Sequence, residues 1–325
     1  MSTFKNIRGQ LIKSLSSDPS PAAAGDMWYN STSQTLKGVI NTTSWSSGGN
    51  MGTARYSLGA STQGTKNATI FFSGYSPPGV KTQTESYNGT SWSEVADVNT
   101  GRDSGAGAGT QTSALFFGGS ATLNESETWN GSSWSEGNNL NTGRRSLGGL
   151  GVQTAALAFG GTTGTFQSLS EEYNGTSWTE GNNLSTARAD VSGAGIQTAG
   201  LCFGGYSPAA FAFAITEEYD GTSWTAGGDM SQVRRRCGGS GSQTDALAAG
   251  GLISSGVSTT KTELYNGTSW SEVAAIGSAI YLNVSSGTNS NDSIMGAGRT
   301  NASSSGLTAT EEFGPVATTK TFTTS

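Results

Sequence analysis

The sequence contains no histidine, only two cysteines and six prolines, and charged residues make up only 12% of its 325 positions. The absence of histidine removes the side chain that most often serves as a general base and as a metal ligand. A net charge of −6 from so few charged residues argues against a nucleic-acid-binding surface. We therefore expect a protein that is not an enzyme, holds no cofactor or metal, and binds no nucleic acid.

Long apolar runs are also missing. The longest, from Ala209 to Ile215, is far too short to span a bilayer. Near the N-terminus, Lys5, Arg8 and Lys13 are not followed by the apolar stretch of a secretory signal. We expect no membrane insertion and synthesis without a signal peptide.

A repeat runs through most of the chain and is its most informative feature. Tryptophans recur 42 to 47 residues apart, and five of them close a phrase of the form Tyr-Asn-Gly-Thr-Ser-Trp. Before each phrase lies an apolar run that ends in small residues, such as Phe159-Gly160-Gly161. A fixed period of this size indicates supersecondary units that bury their faces against their neighbours. The recurring tryptophans, which we expect in the blade cores, are Trp45, Trp92, Trp134, Trp178, Trp224 and Trp270.

Each repeat predicts four short strands. In residues 144–184, Asn174-Gly175 predicts a type I′ hairpin turn, because such a turn needs positive φ at both central residues. The apolar run Ala155 to Phe159 suits a buried strand, and a glycine-rich segment precedes it. Four strands per repeat is the spacing of a propeller blade. Cys202 and Cys237 occupy slots that are apolar in other repeats, so we expect small core residues rather than a disulfide.

The glycine doublet, the aromatic residue and the tryptophan that follows resemble the kelch repeat over roughly residues 45–313. The resemblance implies an all-β fold, a six-bladed kelch-like β-propeller with four-stranded blades. The last repeat reaches Phe313 but has no following tryptophan, whereas Asn41 to Trp45 supplies one at the other end of the chain. We expect this N-terminal strand to close the ring. The predicted organisation is a short N-terminal arm, residues 1–26, followed by the propeller, residues 27–325.

Two charged residues keep register with the repeat. An arginine follows each of the first five tryptophans by ten residues, and a glutamate precedes each aromatic residue of the phrase by two. A ring of binding charges is the alternative, but recurrence in nearly every blade favours structural ion pairs that tie the third strand of one blade to the start of the next. Because Ile280 replaces the last arginine, we predict that Glu263 opposite it tolerates alanine better than Glu171. The predicted pairs draw on Arg55, Arg102, Arg144, Arg188, Arg234, Glu85, Glu127, Glu171, Glu217 and Glu311.

The connections between the second and third strands of each blade differ from repeat to repeat, whereas the other turns are monotonous. Binding residues concentrate on variable loops carried by a rigid scaffold. Aromatic residues on these connections are therefore candidate ligand contacts, although they could instead fold back on the blade or meet another subunit. The candidates are Tyr75, Phe166, Tyr206, Phe211 and Phe213. The few carboxylates outside the register, Asp103, Asp190, Asp245 and Asp292, show no pairing for acid–base catalysis.

The N-terminal segment does not follow the repeat. Its sequence Gly25-Asp-Met-Trp-Tyr-Asn30, followed by Leu36-Lys37, resembles a hairpin module of structural and fibre proteins of tailed bacteriophages. The repeats contain the motifs Thr-Ala-Arg, Gln-Thr-Ala and Phe-Gly-Gly. In these motifs the chain is similar to kelch-like proteins from phages of aquatic bacteria. We expect Phe4, Ile7, Leu11 and Ile12 of the arm to serve assembly.

The phage resemblance implies a virion structural protein, made in the host cytoplasm, that is a fibre, a spike or a capsid decoration. Its arm would bind other virion proteins, and its propeller would bind host-surface polysaccharide, with homo-oligomerisation in the assembly left open. Passive decoration and receptor binding are both compatible with this role. The alternative is a non-viral kelch-type module that binds carbohydrate or protein.

Overall fold

The computed structural model describes residues 12–23, 25–302 and 305–322, of which Phe4, Ile7 and Leu11 of the predicted assembly set are not part. The chain forms two compact units, Met1–Ser44 with Pro315–Ser325, and Trp45–Gly314. Strands make up nearly all of the regular structure. In the described part of the chain, no helix has the length and apolar character needed to cross a membrane.

The smaller unit contains β1 (Lys13–Leu15), β2 (Met27–Asn30) and most of β3 (Thr35–Ser47). β1 pairs in parallel with β2, and β2 pairs antiparallel with β3 so that Trp28 faces Lys37. The Asp18 carboxylate accepts hydrogen bonds from Trp28 Nε1 (3.0 Å), Asn30 Nδ2 (2.7 Å) and Lys37 Nζ (2.7 Å). These bonds, that from Lys37 foremost, lower the pKa of Asp18 to about 2. Ile12, the described member of the predicted assembly set, is exposed.

The larger unit contains five four-stranded antiparallel blades. Blade one has β4 (Gly59–Ala60), β5 (Thr69–Phe72), β8 (Thr84–Tyr87) and β9 (Trp92–Val95), with the small hairpin β6 (Tyr75–Ser76) and β7 (Gly79–Val80). Blade two has β10 (Ala106–Thr110), β11 (Ser113–Phe117), a 3₁₀ turn (Ser120–Thr122), β12 (Ser126–Trp129) and β13 (Trp134–Glu136). Blade three has β14 (Gly148–Val152), β15 (Ala155–Phe159), β16 (Ser170–Tyr173) and β17 (Trp178–Gly181).

Blades four and five repeat the pattern. Blade four has β18 (Ser192–Ile196), β19 (Ala199–Phe203), β20 (Thr216–Tyr219) and β21 (Trp224–Ala226). Blade five has β22 (Gly238–Ser242), β23 (Asp245–Ala249), β26 (Thr262–Tyr265) and β27 (Trp270–Val273), with the hairpin β24 (Leu252–Ser254) and β25 (Val257–Ser258). The all-β propeller with four-stranded blades is therefore confirmed.

The prediction of six such blades is wrong, since the described residues form five. The last repeat supplies β28 (Val284–Gly287), β29 (Ser293–Gly296) and β30 (Thr310–Phe322), which belong to a larger sheet of order β1-β2-β3-β30-β29-β28. We call β28–β30 the sixth sheet. It differs from a blade because β30 runs thirteen residues, far beyond the four of a normal third strand.

The hairpin turns also differ from the predicted type I′ geometry. In blade three only Gly175 of the Asn-Gly pair has positive φ (89°), and the turn spans four residues closed by Asn174 N–H donating to Ser177 O (3.2 Å). The Asn174 side chain accepts from the N–H groups of Thr176 and Ser177. This asparagine therefore stabilises the turn through its side-chain oxygen rather than through a left-handed backbone.

The core lies between neighbouring sheets. Phe117 of blade two, for example, packs in one cluster with Ala156, Ala158 and Trp178 of blade three. Three of the recurring tryptophans are buried and the other three are half-buried against such clusters, as predicted for blade cores. Glycines allow the first strands to come close, since a Cβ on Gly107 would lie 2.1 Å from the carbonyl oxygen of Ala60.

Candidate functional site

The five repeated arginines are fully buried, and each forms an ion pair with a glutamate. Arg144 is typical. Its Nη2 donates to Glu171 Oε1 (2.9 Å), and its Nη1 donates to the carbonyl oxygens of Gly160 (2.9 Å) and Leu169 (2.7 Å). Burial lowers the pKa of Arg144, and Glu171 opposes that shift. An arginine with this many fixed acceptors holds the chain together rather than binding a ligand.

Each arginine connects two neighbouring sheets. The backbone N–H of Arg144 donates to Leu123 O of blade two (3.2 Å), and its carbonyl accepts from Gly119 of the same blade (2.9 Å). Its guanidinium meanwhile lies in blade three against Glu171. The arginine thus ties neighbouring blades through its backbone, whereas its ion pair lies within one blade.

The partner of each arginine is the glutamate of its own repeat, so the predicted pairing of each glutamate with the arginine of the next blade is wrong. Glu263 was expected to lack a partner, but it pairs with Arg234. Glu311 was expected in an ion pair, but Ile280 occupies the arginine position of its repeat. The Glu311 carboxylate instead accepts from the Gly277 N–H (2.9 Å).

Six residues with left-handed backbone form a closed ring around the axis of the larger unit. Each follows a repeated arginine position by two, and their φ angles fall between 53° and 57°. Each N–H donates to the carbonyl of the preceding member at 2.7–3.0 Å, and Ser57 donates to Leu282 to complete the cycle. Left-handed φ is uncommon outside glycine and tends to cluster at functional sites. The members are Ser57, Ser104, Ser146, Asp190, Arg236 and Leu282.

This ring surrounds a cavity of about 140 Å³, lined by ring residues and by the first strands of all six sheets. We call the end of the unit that carries the second-to-third-strand connections the loop end, and the other the turn end. The ring lies at the loop end, just before each first strand. Towards the turn end, Gln63 Nε2 of blade one donates across the axis to Gly195 O of blade four (2.8 Å). The cavity and its continuation along the axis form a channel, and the Gln63 side chain narrows this channel towards the turn end.

Aromatic and arginine side chains gather around the ring in two clusters. In the first, the Arg235 guanidinium lies 4.2 Å from the ring centre of Tyr206 and 4.1 Å from that of Phe211. Phe166 meets Tyr206 edge-to-face at 4.9 Å. Phe211 is the most exposed of the predicted aromatic candidates, at 37%. Four planar groups thus form one continuous stack.

The second cluster contains Tyr75, which packs on Tyr56 with ring centres 5.3 Å apart. Arg299 lies 4.9 Å from the ring centre of Tyr56 and 5.8 Å from that of Tyr281. Burial raises the pKa of Tyr56, and the charge of Arg299 opposes that rise. The predicted candidates therefore divide between two places. Phe166, Tyr206 and Phe211 come together, whereas Tyr75 lies in another blade.

Phe213 belongs to neither cluster. It is half-buried, its backbone pairs with Arg234, and its N–H donates to Gly205 O (2.8 Å).

Asp190 is the buried acid of the ring. Its Oδ2 accepts from Arg236 Nε (2.6 Å) and lies 3.6 Å from Arg235 Nη1. Burial lowers the pKa of Arg235, and the charge of Asp190 opposes that shift. Asp190 was noted in the sequence only as a carboxylate outside the register. Its position two residues after a repeated arginine was the available signal, and it would also have identified Arg236.

The cysteines are buried core residues, as predicted. Cys202 and Cys237 are both free and buried. The Cys202 sulfur accepts from Arg188 Nη2 (3.1 Å), and burial raises the pKa of Cys202 to about 11. Among the described residues, no group of three cysteine or acidic side chains is placed to hold a metal ion.

In comparisons with known proteins, no protein-family model matches the chain and no curated protein sequence matches it. The resemblances to kelch repeats and to phage proteins therefore depend on the motifs quoted above. The fold and the geometry of the loop end are the observations on which a function can be argued.

Proposed function

We propose that this chain is a structural component of a phage virion whose propeller is a non-enzymatic binding module, with the loop end as its ligand face. The observation that carries the binding role is the stack of Phe166, Tyr206, Arg235 and Phe211 beside the channel mouth, in which Phe211 is exposed. Aromatic faces supply large contact area to the apolar faces of sugars at low entropic cost. We therefore propose host-surface glycans as ligands.

The proposal includes closure of the ring by the N-terminal strand. Trp45 packs on Phe313 with ring centres 5.0 Å apart, and its indole N–H donates to Thr262 Oγ1 of blade five (2.9 Å). Trp178 makes the equivalent bond to Ser126 of the preceding blade (3.2 Å). These contacts support a role for Trp45–Ser47 as the strand that closes the ring through the sixth sheet.

The virion role draws its support from the N-terminal module. We propose that the arm binds other virion proteins and that many copies on one particle compensate for weak individual contacts. Quantitative mass spectrometry of purified particles should find the chain in fixed stoichiometry with the coat proteins. A chain recovered only in the particle-free fraction would favour the alternative, a non-viral carbohydrate- or protein-binding module.

The binding role is tested with the full chain displayed in many copies on beads and a panel of neutral and acidic bacterial surface polysaccharides. We expect saturable binding to at least one polysaccharide, reduced at least tenfold by Phe211→Ala with Tyr206→Ala. The matched control is Val152→Ala with Ile196→Ala, which changes two exposed apolar residues at the turn end. Saturable binding that the control pair reduces and the loop-end pair does not would contradict the assignment of the face.

A further inference from the structure

We call the loop end of the channel, around the backbone ring, its mouth. Charged side chains are unevenly distributed around this mouth. Blades three to five contribute three guanidinium groups, those of Arg145, Arg235 and Arg236, but only one carboxylate, that of Asp190. The other half of the mouth contributes one arginine, Arg299, and one aspartate, Asp103, which directly precedes the ring member Ser104. The excess positive charge of the mouth therefore lies on the side that also holds the Phe166–Tyr206–Arg235–Phe211 stack.

The three arginines differ in their exposure and in how many of their hydrogen-bond donors already have partners. Arg235 lies between two aromatic rings, with only 13% of its side chain exposed. Arg236 donates to Asp190 through Nε and keeps 30% of its side chain exposed, and neither of its terminal nitrogens has a hydrogen-bond partner among the described residues. Arg145 is exposed, and its side chain makes no hydrogen bond or ion pair within the described residues. Two guanidinium groups thus have donors to offer.

The fold brings these two groups to neighbouring positions of the mouth. Arg145 directly precedes Ser146, whose carbonyl accepts from Asp190 N–H (2.9 Å), and the Asp190 carbonyl accepts from Arg236 N–H (3.0 Å). Ser146 and Arg236 therefore flank Asp190 along the backbone ring, and Arg145 lies one residue outside it, next to Ser146. This ring holds their main chains in fixed positions.

The outside of the propeller has the opposite charge. The fourth strands of three blades carry the exposed glutamates Glu94, Glu136 and Glu180, and Glu272 of blade five is paired with Lys261. An anionic ligand is repelled by this rim and attracted to the mouth, because clefts of one sign focus the electrostatic field. Because the whole chain carries a net charge of −6, an anion is attracted to the place where arginines are in local excess.

We infer that this half of the mouth is a subsite for an acidic sugar residue whose carboxylate meets Arg145 and Arg236 and whose apolar face stacks on Phe211. The inference depends on the proposed glycan-binding function and specifies its ligand class. Guanidinium groups bind carboxylates through paired, charge-assisted hydrogen bonds. A sugar phosphate offers similar anionic chemistry, so the test separates carboxylate from phosphate.

The test uses the full chain and the members of the polysaccharide panel that contain uronic acids, each before and after chemical reduction of its carboxyl groups to alcohols. We expect the unreduced polymer to bind and its reduced form to bind at least tenfold more weakly. Arg145→Gln with Arg236→Asn should produce a similar loss for the unreduced polymer only. Asparagine is chosen because it tolerates the left-handed backbone at position 236. The matched control is Arg299→Gln in the other half, which should change affinity less than twofold.

The possible results separate the subsite from the wider function. Equal binding of reduced and unreduced polymer, or binding confined to neutral or phosphate-bearing members, would overturn the acidic-sugar subsite and leave the glycan-binding function in place. No binding to any member, with the fold shown intact by thermal melting, would overturn both. Loss of binding by Arg299→Gln equal to that of the double variant would also overturn the placement of the subsite.

Discussion

The interface between blades three and four and the interface between blade five and the sixth sheet are built from the same repeat positions but different side chains. At the first, Arg188 pairs with Glu217, and Trp224 packs edge-to-face on Phe159 (5.3 Å) while donating to Ser170 (2.9 Å). At the second, Ile280 replaces the arginine and Ala249 replaces the phenylalanine.

What remains at the second interface is the Trp45 indole, whose N–H donates to Thr262. Apolar packing of Ile276 and Ile280 with Phe313 accompanies it. A propeller thus tolerates loss of the ion pair where an apolar cluster takes its place, and we expect the sixth sheet to depend on Trp45 more than a blade depends on its own tryptophan.

The largest effect should come from removing the strand that holds Trp45. Deletion of residues 1–47 takes away a side chain whose loss alone costs about 3–5 kcal/mol. We expect the melting temperature to fall by about 10 °C. Deletion of residues 1–26 keeps Trp45 and serves as the control. Equal melting temperatures for the two deletions would show that this strand does not close the ring.

Removing the repeated glutamate should destabilise the protein more in a blade than in the sixth sheet. Glu171→Ala leaves the buried Arg144 without its carboxylate, which costs about 3–5 kcal/mol. Glu311→Ala removes an acceptor of the Gly277 N–H and no ion pair, so we expect a loss of about 1 kcal/mol. Urea unfolding of both variants measures the difference. Losses of the same size would contradict the role of the ion pair.

A smaller effect should follow from the tyrosines that join third strands of neighbouring blades. Tyr265 donates its hydroxyl to Glu218, and burial together with this bond raises the pKa of Tyr265 to about 12 from 10.0. Because the folded state holds the proton more tightly, this contribution is complete below pH 10 and is lost as the pH rises towards 12.

Tyr265→Phe should therefore cost about 1.5–3 kcal/mol at pH 8 and less at pH 11.5. Tyr173→Phe is the control, since the equivalent of Glu218 in the preceding blade is Thr128, which offers no carboxylate. Thermal melts at the two pH values measure both variants. A penalty for Tyr265→Phe that does not change with pH would contradict the assignment.

The repeat predicted the blades because each strand is short, pairs with strands nearby in the sequence, and recurs with the same residue pattern in every repeat. It also predicted that the repeated arginines and glutamates form ion pairs, yet it paired each glutamate with the arginine of the next blade, which left Glu263 without a partner and gave Glu311 one. Residue spacing fixes which positions share a face but not which neighbouring sheet a long arginine side chain reaches. The blade count failed for a related reason, since β3 and β30 continue past the repeat into a larger sheet.

The candidate site was only half predictable. Variable connections identified Phe166, Tyr206 and Phe211, but aromatic content alone gave no reason to separate Tyr75 from them. Arg235, Arg236 and Asp190 were missed because their importance comes from the closed backbone ring, which joins residues more than 40 positions apart. No local sequence pattern reports such a cycle.

The most direct test of the ligand face is hydrogen–deuterium exchange of the full chain with and without a polysaccharide that it binds. We predict that bound polysaccharide slows backbone exchange at the loop end, in peptides covering Arg145–Ser146, Tyr206–Phe213 and Arg235–Arg236. The Asn-Gly turns at the turn end, such as Asn174–Ser177, should be unchanged. Protection confined to those turns, with none at the loop end, would contradict the central claim.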